Sequence, residues 1–394
     1  MSQARAAATP AEAAARIRCT WWQPFRVPFR APFVTSGGTI EAREGLIVGI
    51  ETDSGLVGLG EASPLPHYNG GSVLETASAL ATLAVSIASL SPMEACERDR
   101  ALPGISRGSA AAARCGVETA LAGLAAQAAG VPLAAWLADQ AGLPGEAVAD
   151  RIPVNATIDA SEPAAAAFEA ARLVRAGFGT LKIKAGLGDD ADVQRVAAVR
   201  AAAGPNVTLR IDANGAWTQA QARDLLPRFA VFGVALCEQP TPAAGPSAIA
   251  TLAAVRRASP IPIAADESCR TVEDLQAIID AGAADAVVIK PMASGLREAA
   301  AMTALAREAG LPVIVTTMFD TGAGTAAAMH LAALAGQPPL ACGLATLALL
   351  ADDLVAGIPR VSRGCLRLTA HAGLGVRLDE RALSRYASGP RGEI

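Results

Sequence analysis

The chain has 394 residues, of which 52% are hydrophobic and 18% charged, and its formal net charge is −4. That length admits two domains, or one large barrel with an accessory domain, and the composition is that of a soluble globular protein. The weak acidity offers no electrostatic footprint for nucleic acid or an anionic membrane, and no apolar run is long enough to span a bilayer.

Met1–Arg16 is Ala-rich, without the central apolar block of a secretory signal, and a flexible tail is expected over residues 1–18. The seven cysteines are scattered with no C-x-x-C pair, which excludes a zinc framework and a disulfide scaffold and points to a reducing cytoplasm. From Cys19 the sequence reads as strands. Glu44-Gly-Leu-Ile-Val-Gly-Ile-Glu51, an Asp53-Ser-Gly55 turn and Leu56–Gly60 predict a hairpin, with loops at Phe33–Gly38 and Glu61–Pro66. Helix formers then dominate from Ser72 to Leu137, broken near Pro92 and Pro103-Gly104. Strands followed by helices predict an α+β domain over 19–150.

Beyond Ile152 strands and helices alternate. Strand candidates are Pro153–Ile158, Leu181–Lys184, Thr208–Asp212, Ala235–Glu238, Pro262–Asp266, Ala286–Lys290, Pro312–Thr317 and Ala341–Leu344. Eight strands, each followed by a helix-like segment, predict a closed parallel barrel over 151–350, with 351–394 returning to the N-terminal unit.

The ends of these strands carry the chemistry. In Thr180-Leu-Lys-Ile-Lys-Ala-Gly186, strand alternation puts Lys182 and Lys184 on one face, where mutual repulsion and poor solvation are expected to depress a lysine pKa toward that of a general base. The next three strands end in Asp212, Glu238 and Asp266, and the sixth ends in Lys290. Barrel sites are built at this rim, and strands two and six of eight lie opposite each other. Three acids converging there require a cation, and an all-oxygen set suits Mg²⁺, with Mn²⁺ as the alternative. Arg210 shares the face of Asp212 one layer deeper, where it could balance the acids, hold a substrate carboxylate or form a structural ion pair. Asn214 and Glu267 stand beside the ligand positions. A divalent cation between two lysines suits abstraction of a proton next to a carboxylate, where two negative charges develop on one enediolate.

The set Lys182-Ile-Lys184, Asp212-Ala-Asn214, Glu238-Gln-Pro240, Asp266-Glu-Ser268 and Ile289-Lys-Pro291 resembles the enolase superfamily, specifically its muconate-lactonizing subgroup, over nearly the whole chain. The resemblance implies an α/β fold, a (β/α)₇β TIM-like barrel with an N-terminal α+β capping domain, in which Phe33–Gly38 and Glu61–Tyr68 match specificity loops. It implies Lys184 and Lys290 as the catalytic pair, Lys182 as the residue tuning Lys184, and Asp212, Glu238 and Asp266 as metal ligands. It also implies Arg210, Asn214, Asp320 and Ser36 as substrate-binding, with Glu267 behind the ligands, a small-molecule carboxylate as substrate, and a homo-oligomer. The mandelate-racemase branch fits poorly, because it needs a histidine on strand seven, which here ends Val315-Thr-Thr-Met-Phe-Asp320; His330 falls in the next helix and reads as a packed or surface residue.

Within the subgroup, Arg43–Val48, Gly60–Pro66, Phe319-Asp-Thr-Gly322 and Gly343–Leu354 resemble the o-succinylbenzoate synthase family of menaquinone biosynthesis, a lyase. That family usually has Glu where Asp320 stands and Asp where Ala345 stands. The alternatives are an N-acylamino acid racemase or dipeptide epimerase, both isomerases, or a cycloisomerase. Dipeptide epimerases carry an acidic pair near strand eight, and Ala341–Thr346 has no acid. A barrel that only binds metal and ligand would lack a lysine or a ligand from the set, and none is missing.

Overall fold

The computed structural model describes residues 15–35, 38–101, 108–144, 148–336 and 339–394. Ser36, and with it the tip of the Phe33–Gly38 loop, lies outside the described residues, as does most of the expected N-terminal tail.

The N-terminal unit is an antiparallel sheet of β1 (Ile17–Thr35), β2 (Gly38–Thr52) and β3 (Val57–Ala62), joined on the β1 edge by the C-terminal β15 (Gly392–Glu393). Ile17 and Arg18, expected in the tail, belong to β1. Ile17 is buried, and its backbone is tied to Leu90. The apolar run of β2 is nearly continuous because both of its faces are covered. Leu46, Val48 and Ile50 pack with α2 (Val73–Ile87), while Ile47 joins the core shared with the barrel. Short α1 (Pro66–Asn69) precedes α2. The chain continues through α3 (Pro92–Ala101), α4 (Gly108–Ala128) and α5 (Leu133–Gln140).

Helix α4 is buried from Ala111 to Ala126, and the two charged side chains within that stretch, Arg114 and Glu118, pair at 3.2 Å. It lies so close to β3 that a Cβ on Gly58 would sit 2.2 Å from the Ala120 carbonyl oxygen, and one on Gly60 2.0 Å from that of Gly116. Both glycines are therefore fixed by this approach rather than by any turn.

The barrel strands are β5 (Ala156–Ile158), β6 (Thr180–Lys184), β7 (Thr208–Asp212), β8 (Val234–Glu238), β9 (Ile263–Ala265), β10 (Ala286–Ile289) and β11 (Val313–Val315), parallel and in sequential order. Parallel bridges from Thr316 to Gly343 and from Val154 to Cys342 make Cys342-Gly343 the eighth stave and close the ring. The helices outside it include α6 (Pro163–Arg175), α7 (Asp189–Ala203), α8 (Gln219–Ala230), α9 (Ala248–Ala258), α10 (Val272–Ala281), α11 (Pro291–Ser294), α12 (Leu296–Glu308) and α13 (Gly322–Ala332). The fold is thus a (β/α)₇β TIM-like barrel with an N-terminal cap. Alternation along the staves divides the core. Leu181, Ile183, Leu209 and Ile211 face the helices, whereas Leu236, Ala264, Ala286, Val288 and Ile314 form a separate cluster inside the ring. Each fully buried Leu or Ile contributes about 1.5–3 kcal/mol.

Two sequence expectations change. Pro153–Ile158 is not one strand, because β4 (Arg151–Pro153) pairs outside the ring with β13 (Cys365–Arg367), and Val154 enters the ring. Glu61 and Ala62 are strand rather than loop, because they pair with Ile47 and Leu46 of β2, and Glu61 also reaches across to the barrel. Its carboxylate accepts from Thr321 N at 3.1 Å, Thr321 Oγ1 at 2.6 Å, Gly324 N at 2.9 Å and Ser63 Oγ at 2.8 Å. A side chain of the cap therefore satisfies the first turn of α13. Glu61→Ala strands these buried donors, and a loss of about 3 kcal/mol is expected in denaturant melts, against under 1 kcal/mol for an exposed control such as Glu41→Ala.

Candidate active site

Register places Lys184 beside Asp212 and Asp212 beside Glu238 on three adjacent staves. Asp266 follows β9 and Lys290 follows β10. Lys182 Nζ lies 2.8 Å from Asp212 Oδ2 and 2.7 Å from Glu238 Oε1. Lys184 Nζ reaches Asp212 Oδ2 at 2.8 Å and Asn214 Oδ1 at 2.8 Å, and Lys290 Nζ reaches Asp266 Oδ2 at 2.6 Å. The three acids are almost fully buried, whereas the side chain of Lys184 keeps 32% of its exposure. The more exposed lysine side chain is thus the second of the K-x-K pair, against 13% for Lys182.

The electrostatics correct one expectation. Burial alone would lower the pKa of Lys182, but Asp212, Glu238 and Asp266 outweigh it and raise it. Lys290 is likewise raised, with burial overcome by Asp266. Repulsion between neighbouring ammonium groups is the smaller effect, because Lys182 and Lys290 each have a carboxylate at hydrogen-bonding distance. Asp212 is held below the ordinary carboxylate range, burial being overcome by Lys182 and Lys184. Burial and the charge of Asp212 push Glu238 up to about 8.

A divalent cation fits the chemistry of this donor set. The three acids come from consecutive staves, offer only oxygen, and all bear on one ammonium group, that of Lys182. Among the described residues, no three of them converge as a ready coordination cluster, because Lys182 stands between Asp212 and Glu238 while Lys290 holds Asp266. Binding a cation at these acids therefore requires their ion pairs to loosen.

Around the rim, Asn214 takes a left-handed backbone, φ 45°, that Asn tolerates better than most residues. There it serves three neighbours: its N–H donates to Asp212 Oδ1 at 3.0 Å, its Oδ1 accepts from Lys184, and its Nδ2 donates to Glu267 Oε1 at 3.1 Å. Asn214 and Glu267 thus orient a lysine and a carboxylate. Gln239 does the same below Asp266, accepting from Asp266 N at 3.0 Å and Ser268 N at 3.2 Å. Arg210 is buried and donates to the Ala341 carbonyl at 2.7 Å, bracing strand eight. His330 is packed between Ala134 N, 3.1 Å from Nδ1, and the Leu374 carbonyl, 3.1 Å from Nε2.

Asp320 is the substrate-binding candidate after strand seven. It is 2% exposed and lies 3.7 Å from Arg43 Nη2, beneath the cap. Arg43 also donates to the carbonyls of Ser63 and Pro64. Burial and the Glu61 carboxylate push the Asp320 pKa up to about 7, against the pull of Arg43. A carboxyl raised above its unfolded value of about 3.9 supports folding fully below that pH and loses this support as pH rises through about 7. Thermal melts should therefore show stability falling between about pH 4 and about pH 7, with a shallower fall in Asp320→Asn; an unchanged slope would refute this assignment.

The sequence reading missed the role of Tyr68 on α1. Its hydroxyl donates to Asp266 Oδ1 at 2.8 Å, and the Lys290 ammonium lies 4.0 Å from its ring centroid. One tyrosine in a loop otherwise marked only by prolines and glycines gives no signal of that reach.

Fold and rim together define a capped parallel barrel that presents buried carboxylates between lysines of opposing staves. The family model for the mandelate racemase / muconate lactonizing enzyme N-terminal domain matches residues 20–137, and that for the enolase C-terminal domain-like region matches 165–382. The chain belongs to the enolase superfamily. It is 44% identical to an o-succinylbenzoate synthase of Thermobifida fusca over 211 residues, spanning 52% of this chain and 63% of that protein. It is 32% identical to a hydrophobic dipeptide epimerase of Enterococcus faecalis over 353 residues, 89% of this chain and 96% of that one. The structure of a dipeptide epimerase from Enterococcus faecalis V583, complexed with Mg and the dipeptide L-Leu-L-Tyr, superposes with a TM-score of 0.83 at 30% identity, covering 92% of this chain and 99% of that one.

Proposed function

We propose that this chain abstracts the proton alpha to a carboxylate, with Mg²⁺ held by Asp212, Glu238 and Asp266, and that the reaction is the dehydration yielding o-succinylbenzoate. The observation that carries the chemistry is the placement of Lys184 and Lys290 on opposite staves with the three acids on the staves between. A bound Mg²⁺ would supply positive charge where the enediolate develops negative charge. Asp212, Glu238 and Asp266, once engaged by it, hold the lysines less tightly. Lys184, the more exposed amine, takes the proton and returns it to the departing hydroxyl, so one water leaves and the ring becomes aromatic. Lys290 stays an ammonium on the other face and balances the intermediate. Lys182 keeps Asp212 and Glu238 neutralised, and Asn214 fixes the direction of the Lys184 amine.

The dehydratase reading is supported by the acids near strand eight, which are already engaged. Asp352 Oδ2 accepts from Arg385 and Tyr386, each at 3.2 Å, and Asp353 Oδ1 accepts from Gly322 N at 2.8 Å. A substrate ammonium, as in a free dipeptide, would have to reach Asp353 Oδ2, which is buried and without a hydrogen-bond partner among the described residues. Racemisation of N-acylated amino acids is the second reading, favoured by the two opposed lysines, each able to serve one face.

The test is direct. The cyclohexadiene-carboxylate precursor should lose water with Mg²⁺ and not with EDTA, followed by the absorbance of the aromatic product. N-acylamino acids and dipeptides are monitored in parallel for deuterium at the alpha carbon. Exchange without dehydration would select the racemase reading, and neither reaction on any of them would defeat the function altogether.

A further inference from the structure

The cap contributes Tyr68 to the rim, and its three contacts all lie on one side of the site. Its hydroxyl bonds Asp266 at 2.8 Å, and Lys290 Nζ sits 4.0 Å from the ring centroid. The Arg270 guanidinium lies 4.8 Å from the same ring, and Arg270 Nη2 donates to the Tyr68 carbonyl at 3.1 Å. Asp266, Arg270 and Lys290 belong to the ends of β9 and β10, while Lys184 and Asp212 sit across the mouth on β6 and β7. Cation–ring contacts orient an ammonium without neutralising it, whereas the carboxylate at 2.6 Å competes for the same proton. Behind Tyr68, Leu65 and the ring pack on Met292, Ala293 and Met318 of the barrel together with Ala112 and Cys115 of α4. Sulfur and methyl groups on that wall offer the ring no competing hydrogen bond, so its direction is set by Asp266 and the two cations.

We infer that Tyr68 is a positioning residue that ties the cap to one face of the reaction, holding Asp266 for the metal and aiming the Lys290 ammonium, without acting on Lys184. This rests on the lysine roles proposed above. Two variants separate its functions. Tyr68→Phe keeps the ring under Lys290 and loses the bond to Asp266; Tyr68→Leu loses both.

Calorimetric titration with Mg²⁺ alone should show Kd weakened about 10-fold in both variants, a usual cost of removing a partner of a metal ligand. Deuterium exchange is then measured separately on the L and D forms of an N-acylamino acid, and the form served by Lys290 is identified as the one that stops exchanging in Lys290→Ala. Tyr68→Leu should slow that form about 10- to 100-fold more than the other, and Tyr68→Phe should recover most of the difference. Equal slowing of both forms, or an undiminished Lys290 form, overturns the inference. If wild type exchanges neither form, the lysine roles fail for these substrates, and the Mg²⁺ titration alone decides: unchanged affinity in Tyr68→Phe refutes the hold on Asp266.

Discussion

Lys184→Ala is expected to abolish turnover, by about 10³-fold or more, while leaving the melting temperature almost unchanged. Asp212, the carboxylate Lys184 leaves behind, still has Lys182 at 2.8 Å and the Asn214 N–H at 3.0 Å. Among the described residues no buried carboxylate loses its last partner, so the chemistry stops with little structural penalty. Lys290→Ala should be as inactive but less stable. Asp266 Oδ2 is then left without the ammonium at 2.6 Å, the carboxylate keeping, among the described residues, the Tyr68 hydroxyl on its other oxygen, and an unpaired buried carboxylate costs about 3–5 kcal/mol unless it takes up a proton. The contrast is the informative part. Turnover and thermal melts of the two variants should give matching kinetic losses and unequal stabilities. An active Lys184→Ala would remove this residue from the reaction, and equal stabilities would contradict the pairing described at the rim.

The features that were legible in the sequence are those that depend on local periodicity. Alternation along a strand puts Lys182 with Lys184 and Arg210 with Asp212, and the parallel ring converts consecutive strand ends into neighbours, so the carboxylate row could be read before any coordinates. What alternation cannot supply is the distance from a side chain to groups of other segments. The K-x-K pattern suggested two lysines made less basic by each other, whereas Lys182 and Lys290 are governed by carboxylates on other staves, closer than any second lysine effect. The same limit explains Asp320. At the end of strand seven it looked like a rim residue, but Arg43 and Glu61 arrive from the cap and enclose it. Tyr68 is the converse case, a loop residue whose partner lies 198 positions away.

Glu238→Gln should weaken Mg²⁺ binding about 100-fold while leaving the metal-free protein at least as stable as wild type. Glutamine matches the size of a protonated glutamic acid, and Glu238 already has its pKa pushed up to about 8 by burial and by Asp212. In the metal-free wild type this raised group supports folding fully below its unfolded value of about 4.3 and loses that support as pH rises through about 8. The amide carries no such titration, so the variant should draw level with or pass wild type across this window. Lys182 retains Asp212 at 2.8 Å in either protein. A hard divalent cation, however, prefers anionic oxygen, and two carboxylates with an amide make a much poorer set. At a Mg²⁺ concentration of about 100 times the wild-type Kd, wild type should gain about 2.7 kcal/mol of stability, and a variant bound about 100-fold more weakly about 0.4 kcal/mol. Thermal melts with Mg²⁺ and with EDTA measure both quantities in one series. Equal gains in the two proteins would show that Glu238 is no metal ligand and would confine the cation, if it binds, to other acids.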